Sequence, residues 1–169
     1  MADKIKHKVF FKQSGRKSAD NSLSTLIKKA VIMTLQSEAV DMPCVVCVFI
    51  TGDDEIRAYN RDFRGIDEAT DTLSFPMQLF SQAGWGGLCD AETDEDTGDI
   101  PLGDVIISKD TVRRHADEYG NSLEHETVYM IIHSTLHLLG YDHGSESEEK
   151  VMHNKSKAIM HEMGFCIND

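Results

Sequence analysis

Three histidines lie at spacings of four and six residues in the second half of the chain: His133, His137 and His143, with Gly140 between the last two. On an α-helix, residues four apart share one face with Cβ atoms about 5 to 6 Å apart, so His133 and His137 can bind one ion. His143 would point roughly 120° away from His137 on the same helix, so the helix must end first. Gly140 favours that ending because glycine adopts the left-handed conformation without a Cβ penalty.

The three imidazoles predict a metal site with one open position. A single histidine on an apolar helix is usually a hydrogen-bonded core residue, but the third histidine and the glycine favour ligation. Three protein ligands leave the fourth tetrahedral position to solvent, which is the arrangement of catalytic zinc sites. We therefore expect one zinc ion per chain. Nickel, cobalt and copper stay open as alternatives because imidazole binds each of them.

The residue after the first histidine argues against an ordinary zinc protease. Proteases of the His-Glu-x-x-His type carry a general-base glutamate there, whereas this chain has Ser134. Serine cannot take a proton from water at neutral pH, so the usual protease base is missing. A metallopeptidase whose base comes from outside the motif stays open as an alternative. The absent carboxylate also suits an anionic substrate.

Length and composition predict one compact domain over residues 1–169, since 40% of the residues are hydrophobic. The N-terminus has no hydrophobic stretch and no run approaches eighteen apolar residues. We therefore expect no secretory signal, no membrane span and a cytoplasmic protein. The cysteines are expected to be free thiols, mostly buried, with the first two on opposite faces of a strand. They are Cys44, Cys47, Cys89 and Cys166.

The net charge of −12 argues, taken alone, against nucleic-acid binding, because Lys and Arg supply most phosphate contacts. The charge is unevenly distributed, however. Residues 1–30 contain eight basic against two acidic side chains, a local excess of six positive charges. Arg57, Arg61 and Arg64 form a second basic cluster, and the last two could share a helix face directed at RNA phosphates. A solvated helix surface is the alternative, and we favour it for Arg57 and Arg61.

Apolar periodicity predicts an α+β fold, a single small mixed sheet covered by helices. The strands are expected at about 5–11, Cys44–Thr51, Thr72–Met77 and Asp104–Ser108, and the helices near 22–38, Asp53–Phe63, 109–119 and 146–163, with the metal-binding helix before the last. Two pairs resemble capping boxes, Asn121 with Glu124 at the metal-binding helix and Ser145 with Glu148 at the last helix. The strand order cannot be predicted.

The segment from Phe80 to Pro101 lacks periodicity and is rich in glycine and acidic residues, which predicts a mobile surface loop. A calcium-binding loop is the alternative, but the required Asp-x-Asp-x-Asp-Gly order and terminal glutamate are absent. Trp85 lies within this segment. An isolated tryptophan is more often a packing residue than a platform for a base, so we predict packing.

The stretch from His133 to His143 resembles the signature of the bacterial YbeY family, single-strand-specific endoribonucleases that act in ribosomal RNA maturation. Two further segments are similar to the family's second and third conserved blocks. They are residues 63–67 with residues 70–76, and residues 102–108. The resemblance runs from about Val45 to the C-terminus. The chain departs from the usual pattern at Ser134, commonly glycine, and at Thr72, commonly valine.

The resemblance implies a metal-dependent endoribonuclease that hydrolyses phosphodiester bonds in single-stranded RNA, with no specificity for DNA and no membrane partner. It implies a role in 16S rRNA 3′ end processing and in ribosome quality control, with the ribosome or ribosomal proteins as partners. It carries the family's metal ligands onto His133, His137 and His143, and its functionally important arginine onto Arg64. That arginine would bind substrate and stabilise charge on phosphorus.

Three other residues have two interpretations each. Asp71 and Ser74, in the second block, shape the substrate groove or have structural turn roles. Asp142 orients a ligand imidazole or caps a turn. No general base can be named, and either water or the RNA 2′-hydroxyl could attack. A non-catalytic ribosome-associated module, in which zinc only stabilises the fold, is the remaining rival.

Overall fold

A four-stranded mixed sheet, a two-stranded sheet and five α-helices form the fold in this computed structural model, which describes residues 5–15 and 21–166. The strands are β1 (Lys8–Gln13), β2 (Cys44–Thr51), β3 (Thr72–Pro76), β4 (Leu79–Phe80), β5 (Leu88–Cys89) and β6 (Ile100–Ser108). The helices are α1 (Asn21–Ser37), α2 (Asp53–Arg64), α3 (Lys109–Tyr119), α4 (Leu123–Leu138) and α5 (Glu146–Glu162). The predicted α+β class is confirmed.

The main sheet has the order β1-β2-β6-β3. Strands β1, β2 and β6 run parallel, and β3 pairs with β6 in the antiparallel direction. β3 is therefore an edge strand. Its register places Ser74 opposite Val105 and Pro76 opposite Gly103. The separate sheet of β4 and β5 is an addition to the one sheet that the sequence predicts.

Helices cover the two faces of the main sheet unequally. Along β2 the burial alternates, with Cys44, Val46 and Val48 buried in the main core beneath α1 and α4. Helix α4 is buried around much of its circumference and contacts α1, α3, α5 and the sheet. On the opposite face, Ile56 of α2 forms a smaller cluster with Leu73 and Ile106. This packing fixes α4 and the edge strand β3 beside each other.

The prediction of a surface loop from Phe80 to Pro101 is wrong in part, because the end of β4, a short 3-10 helix at Trp85–Gly87, β5 and the start of β6 lie within it. These two-residue strands are too short to give a periodic pattern. The side-chain amide of Gln78 donates to the backbone oxygens of Glu92 and Pro101 and holds the remainder of the segment. Trp85 Nε1 donates to Asp41 Oδ1 at 2.7 Å and its ring packs against the main core, which confirms the packing prediction.

One of the two predicted capping boxes is wrong. Helix α4 is capped by Ser122, whose Oγ accepts a hydrogen bond from the backbone N–H of His125. Asn121 lies one residue too early and donates from Nδ2 to Glu126 Oε2 at 3.3 Å. The second box is confirmed, because the side chains of Ser145 and Glu148 each accept from the other residue's backbone N–H.

The cysteines are free thiols, as predicted, but the expectation that most of them are buried is wrong. Cys44 is buried, Cys89 is half-buried, and Cys47 and Cys166 are exposed. Burial, with smaller contributions from Asp99 and Asp41, raises the pKa of Cys44 to about 12. Cys44 and Cys47 lie on opposite faces of β2, and the helices leave the Cys47 side accessible.

Three further expectations concern a membrane span, the basic N-terminal segment and the boundaries of the elements. Of the helices in residues 5–15 and 21–166, none is both long enough and apolar enough to cross a membrane. The predicted basic N-terminal segment lies only partly within these residues, since Lys4, Arg16 and Lys17 are outside the described ranges. Predicted element boundaries differ by a few residues, the largest extension being β6, which begins at Ile100 rather than Asp104.

Candidate metal centre

Helix α4 presents His133 and His137 on one face, as the spacing of four predicts. Their ring centroids are 4.7 Å apart and their Nε2 atoms are 3.1 Å apart. Most other faces of α4 carry buried side chains such as Ile132 and Leu136. The two imidazoles therefore lie on a helix that core packing holds in position.

A glycine turn brings the third histidine to the same place. Gly140 has a φ of +86°, and its N–H donates to the backbone oxygen of His137 while that of Tyr141 donates to Leu136. This pair of bonds is the Schellman ending of a helix. The His143 ring centroid then lies 5.6 Å from that of His133 and 5.0 Å from that of His137. One ligand atom from each of the three rings lies within 4.8 Å of the others.

The nitrogens of His133 and His137 have the spacing that a tetrahedral divalent metal ion requires. Bonds of about 2.0–2.1 Å to zinc at a tetrahedral angle would separate two nitrogens by roughly 3.3 Å. The observed separation between His133 Nε2 and His137 Nε2 is 3.1 Å. His137 Nδ1 lies 2.8 Å from the backbone oxygen of Tyr141, and donation to that oxygen leaves the Nε2 lone pair free for a metal.

The surroundings of His133 and His137 favour the neutral form of both imidazoles. Burial, then the neighbouring His137 and His143, lowers the pKa of His133 to about 4, although Asp71 acts in the opposite direction. Burial is also the largest cause that lowers the pKa of His137. Neutral imidazoles at pH 7 offer lone pairs without first losing a proton. The cluster could therefore hold a cation at neutral pH.

The histidines line a cleft of about 590 Å³ between α4, β3 and the end of α2. All of the site residues that the sequence predicts line this same cleft. They are His133, His137, His143, Arg64, Asp71, Ser74 and Asp142. The fold thus brings together side chains that lie up to 79 positions apart in the chain.

Arg64 differs from the other two arginines of its helix. Arg57 donates two hydrogen bonds to Asp67, and Arg61 donates one to Asp62 at 3.0 Å. Both pairs are exposed, in keeping with their interpretation as surface residues. Arg64 ends α2 before the left-handed Gly65 and lines the cleft. Within residues 5–15 and 21–166 it makes no salt bridge, so its guanidinium is available to a ligand.

The two carboxylates of the cleft support the local backbone. Asp71 Oδ1 accepts from the backbone N–H of Thr72 at 2.7 Å, and its Oδ2 lies 4.0 Å from His115 Nδ1. Asp142 Oδ1 accepts from the backbone N–H of His143 at 2.8 Å, a turn-capping contact. Each carboxylate therefore fixes the residue that follows it, and both line the cleft.

Sequence reasoning missed a partly buried network that adjoins His137. Glu38, at the end of α1, accepts from the hydroxyl of Tyr141 at 2.6 Å and from Lys155 Nζ at 2.7 Å. The Glu38 side chain is only 4% exposed. Because the backbone oxygen of Tyr141 bonds His137 Nδ1, this network holds the group that orients one imidazole. No local pattern reveals it, since Glu38 and Tyr141 are 103 positions apart.

Comparison with known proteins gives matches over most of the chain. The sequence model of a family described as Endoribonuclease YbeY matches residues 8–164. The Endoribonuclease YbeY of Caldanaerobacter subterraneus subsp. tengcongensis is 40% identical over 145 residues, covering 86% of this chain and 90% of that protein. That of Desulforamulus reducens is 35% identical over 148 residues, covering 88% and 91%.

A solved structure supports the fold. The solution structure of a Thermotoga maritima protein matches with a TM-score of 0.54 and 24% identity, covering 92% of this chain and 91% of that one. At this identity the match carries information about the fold alone. It agrees with the mixed sheet and the helices described above.

Proposed function

The chain belongs to the YbeY endoribonuclease family, and on that premise we propose that it hydrolyses phosphodiester bonds in single-stranded RNA with one metal ion held by His133, His137 and His143. Membership makes it a hydrolytic nuclease with a role in rRNA maturation. The finer proposals are that the ion is zinc, that the substrate is the 3′ end of 16S rRNA, and that the enzyme acts in the cytoplasm. Ribosome association, ribosome quality control and a single domain over residues 1–169 belong to the same proposal.

The observation that carries this proposal is the convergence on one cleft of three imidazoles and of the Arg64 guanidinium, which has no salt-bridge partner in the described part of the chain. A planar guanidinium donates two parallel hydrogen bonds to phosphate oxygens, so Arg64 suits a phosphodiester. A peptide bond offers no such anionic group. The chemistry of the cleft therefore favours a nucleic-acid backbone as substrate.

The local charge of the cleft also favours binding of an anion, although the whole chain has a net charge of −12. A bound divalent cation together with Arg64 brings three positive charges against the carboxylates of Asp71 and Asp142. Both carboxylates already accept hydrogen bonds from backbone N–H groups. A phosphate entering the cleft would thus meet a net positive field.

The metal ion and the residues around it have separate roles in the proposed reaction. The metal ion, when bound, supplies Lewis-acid polarisation of a phosphate oxygen. Arg64 binds the non-bridging oxygens and stabilises the charge that grows on them as the new bond to phosphorus forms. Tyr141 holds His137 in orientation through its backbone oxygen. Ser134 takes no part, because it is buried and its hydroxyl contacts Thr72.

The test combines elemental analysis with cleavage of a single-stranded RNA and of the same strand with 2′-deoxy nucleotides. We expect His137→Ala to lose both bound metal and cleavage, and Arg64→Glu to lose cleavage while retaining the metal. Arg61→Ala is the matched control, because Arg61 lies on the same helix and pairs with Asp62 outside the cleft. Normal cleavage by either of the first two variants would contradict the role given to that residue.

The same assays separate the rival functions. Cleavage of casein without cleavage of RNA would indicate a metallopeptidase. If metal removal melts the protein, and freshly loaded protein cleaves neither substrate, a structural zinc module would be indicated. Cleavage of the 2′-deoxy strand would identify water as the nucleophile, whereas loss of cleavage would indicate attack by the 2′-hydroxyl.

A further inference from the structure

We propose that the exposed ring of Phe63 is a stacking platform for a base of single-stranded RNA, next to the phosphate that Arg64 binds. The inference rests on the proposed function, since it names a binding subsite for the same substrate. It would explain a preference for single strands, because bases of a duplex are already stacked on each other and cannot reach a side chain.

The position of Phe63 is the first observation. It is 67% exposed, and it directly precedes Arg64, whose side chain lines the histidine cleft. A single exposed aromatic residue is ordinary on a protein surface. This one, however, is adjacent in the chain to a guanidinium that has no salt-bridge partner among the described residues.

The surroundings of Phe63 are the second observation. Its ring lies 6.2 Å from that of Tyr59 with an interplanar angle of 16°, and 5.3 Å from that of Phe75 at 66°. Tyr59 and Phe75 pack in turn against the smaller core cluster of Ile56, Leu73 and Ile106. The ring of Phe63 is therefore packed against two side chains that contact this core cluster. Little side-chain freedom would be lost when a base stacks on it.

The edge strand β3 connects this platform with the cleft. Ser74 and Pro76 line the cleft, and Phe75 between them contacts Phe63. Because alternate side chains of a strand point to opposite faces, the platform and the cleft lie on the two sides of one strand. β3 has a free edge, and Arg64 lines the cleft from the helix that carries Phe63. A single strand of RNA can therefore curve around this edge, with a base on Phe63 and the adjoining phosphate in the cleft.

The positive charge of Arg64 favours a nucleobase over an apolar peptide as the group that stacks on Phe63. Phe63 and Arg64 are consecutive residues of α2, and this pairing of a flat ring with a cation matches a nucleotide, which combines a flat base with an anionic group. An apolar peptide offers no anionic group for the guanidinium of Arg64 to bind. Binding should tolerate any base, because every base has a π face.

The first experiment measures cleavage of a short single-stranded RNA and of a set with one abasic nucleotide moved along it. In the wild-type protein we expect an abasic nucleotide next to the cleavage position to raise KM about tenfold or more. Phe63→Ala should raise KM on the intact RNA similarly and remove the sensitivity to that abasic position. Phe63→Trp should keep the wild-type KM on intact RNA and the wild-type sensitivity to the abasic nucleotide. Phe10→Ala is the matched control, since Phe10 is 60% exposed on β1, at the far edge of the sheet.

The second experiment does not depend on cleavage. Fluorescence of the Phe63→Trp variant, corrected for Trp85 with the wild-type protein, should be quenched by a single-stranded oligonucleotide and not by a duplex. Quenching by single-stranded RNA without any cleavage would support stacking on residue 63 and contradict the proposed function. If the wild-type protein cleaves RNA and Phe63→Ala has the same KM and the same sensitivity to the abasic nucleotide, the stacking role of Phe63 is wrong. The proposed function would not be affected by that result. Quenching by an apolar peptide but not by RNA would also overturn the stacking role of Phe63.

Discussion

The hydroxyl of Ser134 lies 2.9 Å from the hydroxyl of Thr72, and this contact joins α4 to β3 one residue away from His133. Thr72 Oγ1 donates to the backbone oxygen of Ile106, which uses its single proton. Ser134 is therefore the donor in the pair. The resemblance described in the sequence analysis implies glycine and valine at these two positions. The two residues complement each other, since each hydroxyl partners the other at a partly buried junction.

The contributions of the two hydroxyls to stability should depend on each other. Thr72→Val leaves the fully buried hydroxyl of Ser134 without its acceptor, and we expect a loss of about 1–3 kcal/mol in the free energy of unfolding. The double variant Thr72→Val with Ser134→Ala should lose less than the sum of the two single variants, by about 1 kcal/mol. Urea unfolding of the four proteins measures this coupling. Additivity within about 0.3 kcal/mol would show that the hydroxyls do not depend on each other.

The sequence predicts the parts of the site that local chemistry determines. His133 and His137 share a face because of helical spacing, and the turn at Gly140 follows from the conformations that glycine allows. By contrast, Ser134 with Thr72 and Glu38 with Tyr141 join residues 62 and 103 positions apart. Such contacts depend on how helices dock on the sheet, and no local pattern contains that information.

The wrong predictions from sequence, for a helix cap, two short strands and the burial of a cysteine, have similar physical causes. Asn121 and Ser122 are both good helix caps, and the choice between them depends on where α4 docks rather than on residue type. The strands β4 and β5 have two residues each, too few for alternation to be detected. Cys47 lies in an apolar strand whose outer face the helices leave partly open, so hydrophobic composition overestimates its burial.

The network that adjoins His137 predicts an effect on metal binding. Tyr141→Phe removes the hydroxyl that Glu38 holds, so the backbone oxygen that orients His137 becomes less well fixed. We expect metal affinity to fall about 10-fold or more, in the range typical of groups that orient a ligand. Competition with a chromophoric chelator measures it. Tyr119→Phe is the matched control, since Tyr119 is 63% exposed, and an equal fall in both variants would contradict a specific role for Tyr141.

Alanine substitutions at two glycines with similar backbone conformations distinguish the cost of backbone strain from the cost of a steric clash. Gly140 and Gly120 have φ values of +86° and +68°, so alanine at either position costs roughly 1–2 kcal/mol in strain. A Cβ at Gly140 would also lie 2.7 Å from Phe80 Cβ, whereas one at Gly120 meets no atom within 4 Å. We therefore expect Gly140→Ala to lose a further 1–3 kcal/mol or so and to weaken metal binding by displacing His143. Thermal unfolding and metal titration of both variants test this, and equal losses would exclude the clash.

Acid should remove a stabilising contribution made by Asp53. Its burial alone would raise the carboxyl pKa, but hydrogen bonds from Arg114, Ser108 and Thr111 lower the pKa to about 2 from the ordinary 3.8. Because the folded-state pKa is the lower one, the contribution is complete above pH 3.8 and is lost as the pH falls through about 2. Asp53→Asn should therefore be less stable than the wild-type protein at pH 5, and the difference should shrink towards pH 2.

The control for this prediction is Asp54→Asn, because Asp54 lies in the same first turn of α2 but is exposed. Urea unfolding at several pH values between 5 and 2 gives the difference in free energy for each variant. Other carboxylates titrate in this range in all three proteins, so only the differences from wild type are informative. A difference for Asp53→Asn that stays constant with pH would mean that the Arg114 and hydroxyl contacts do not act on the charged carboxylate.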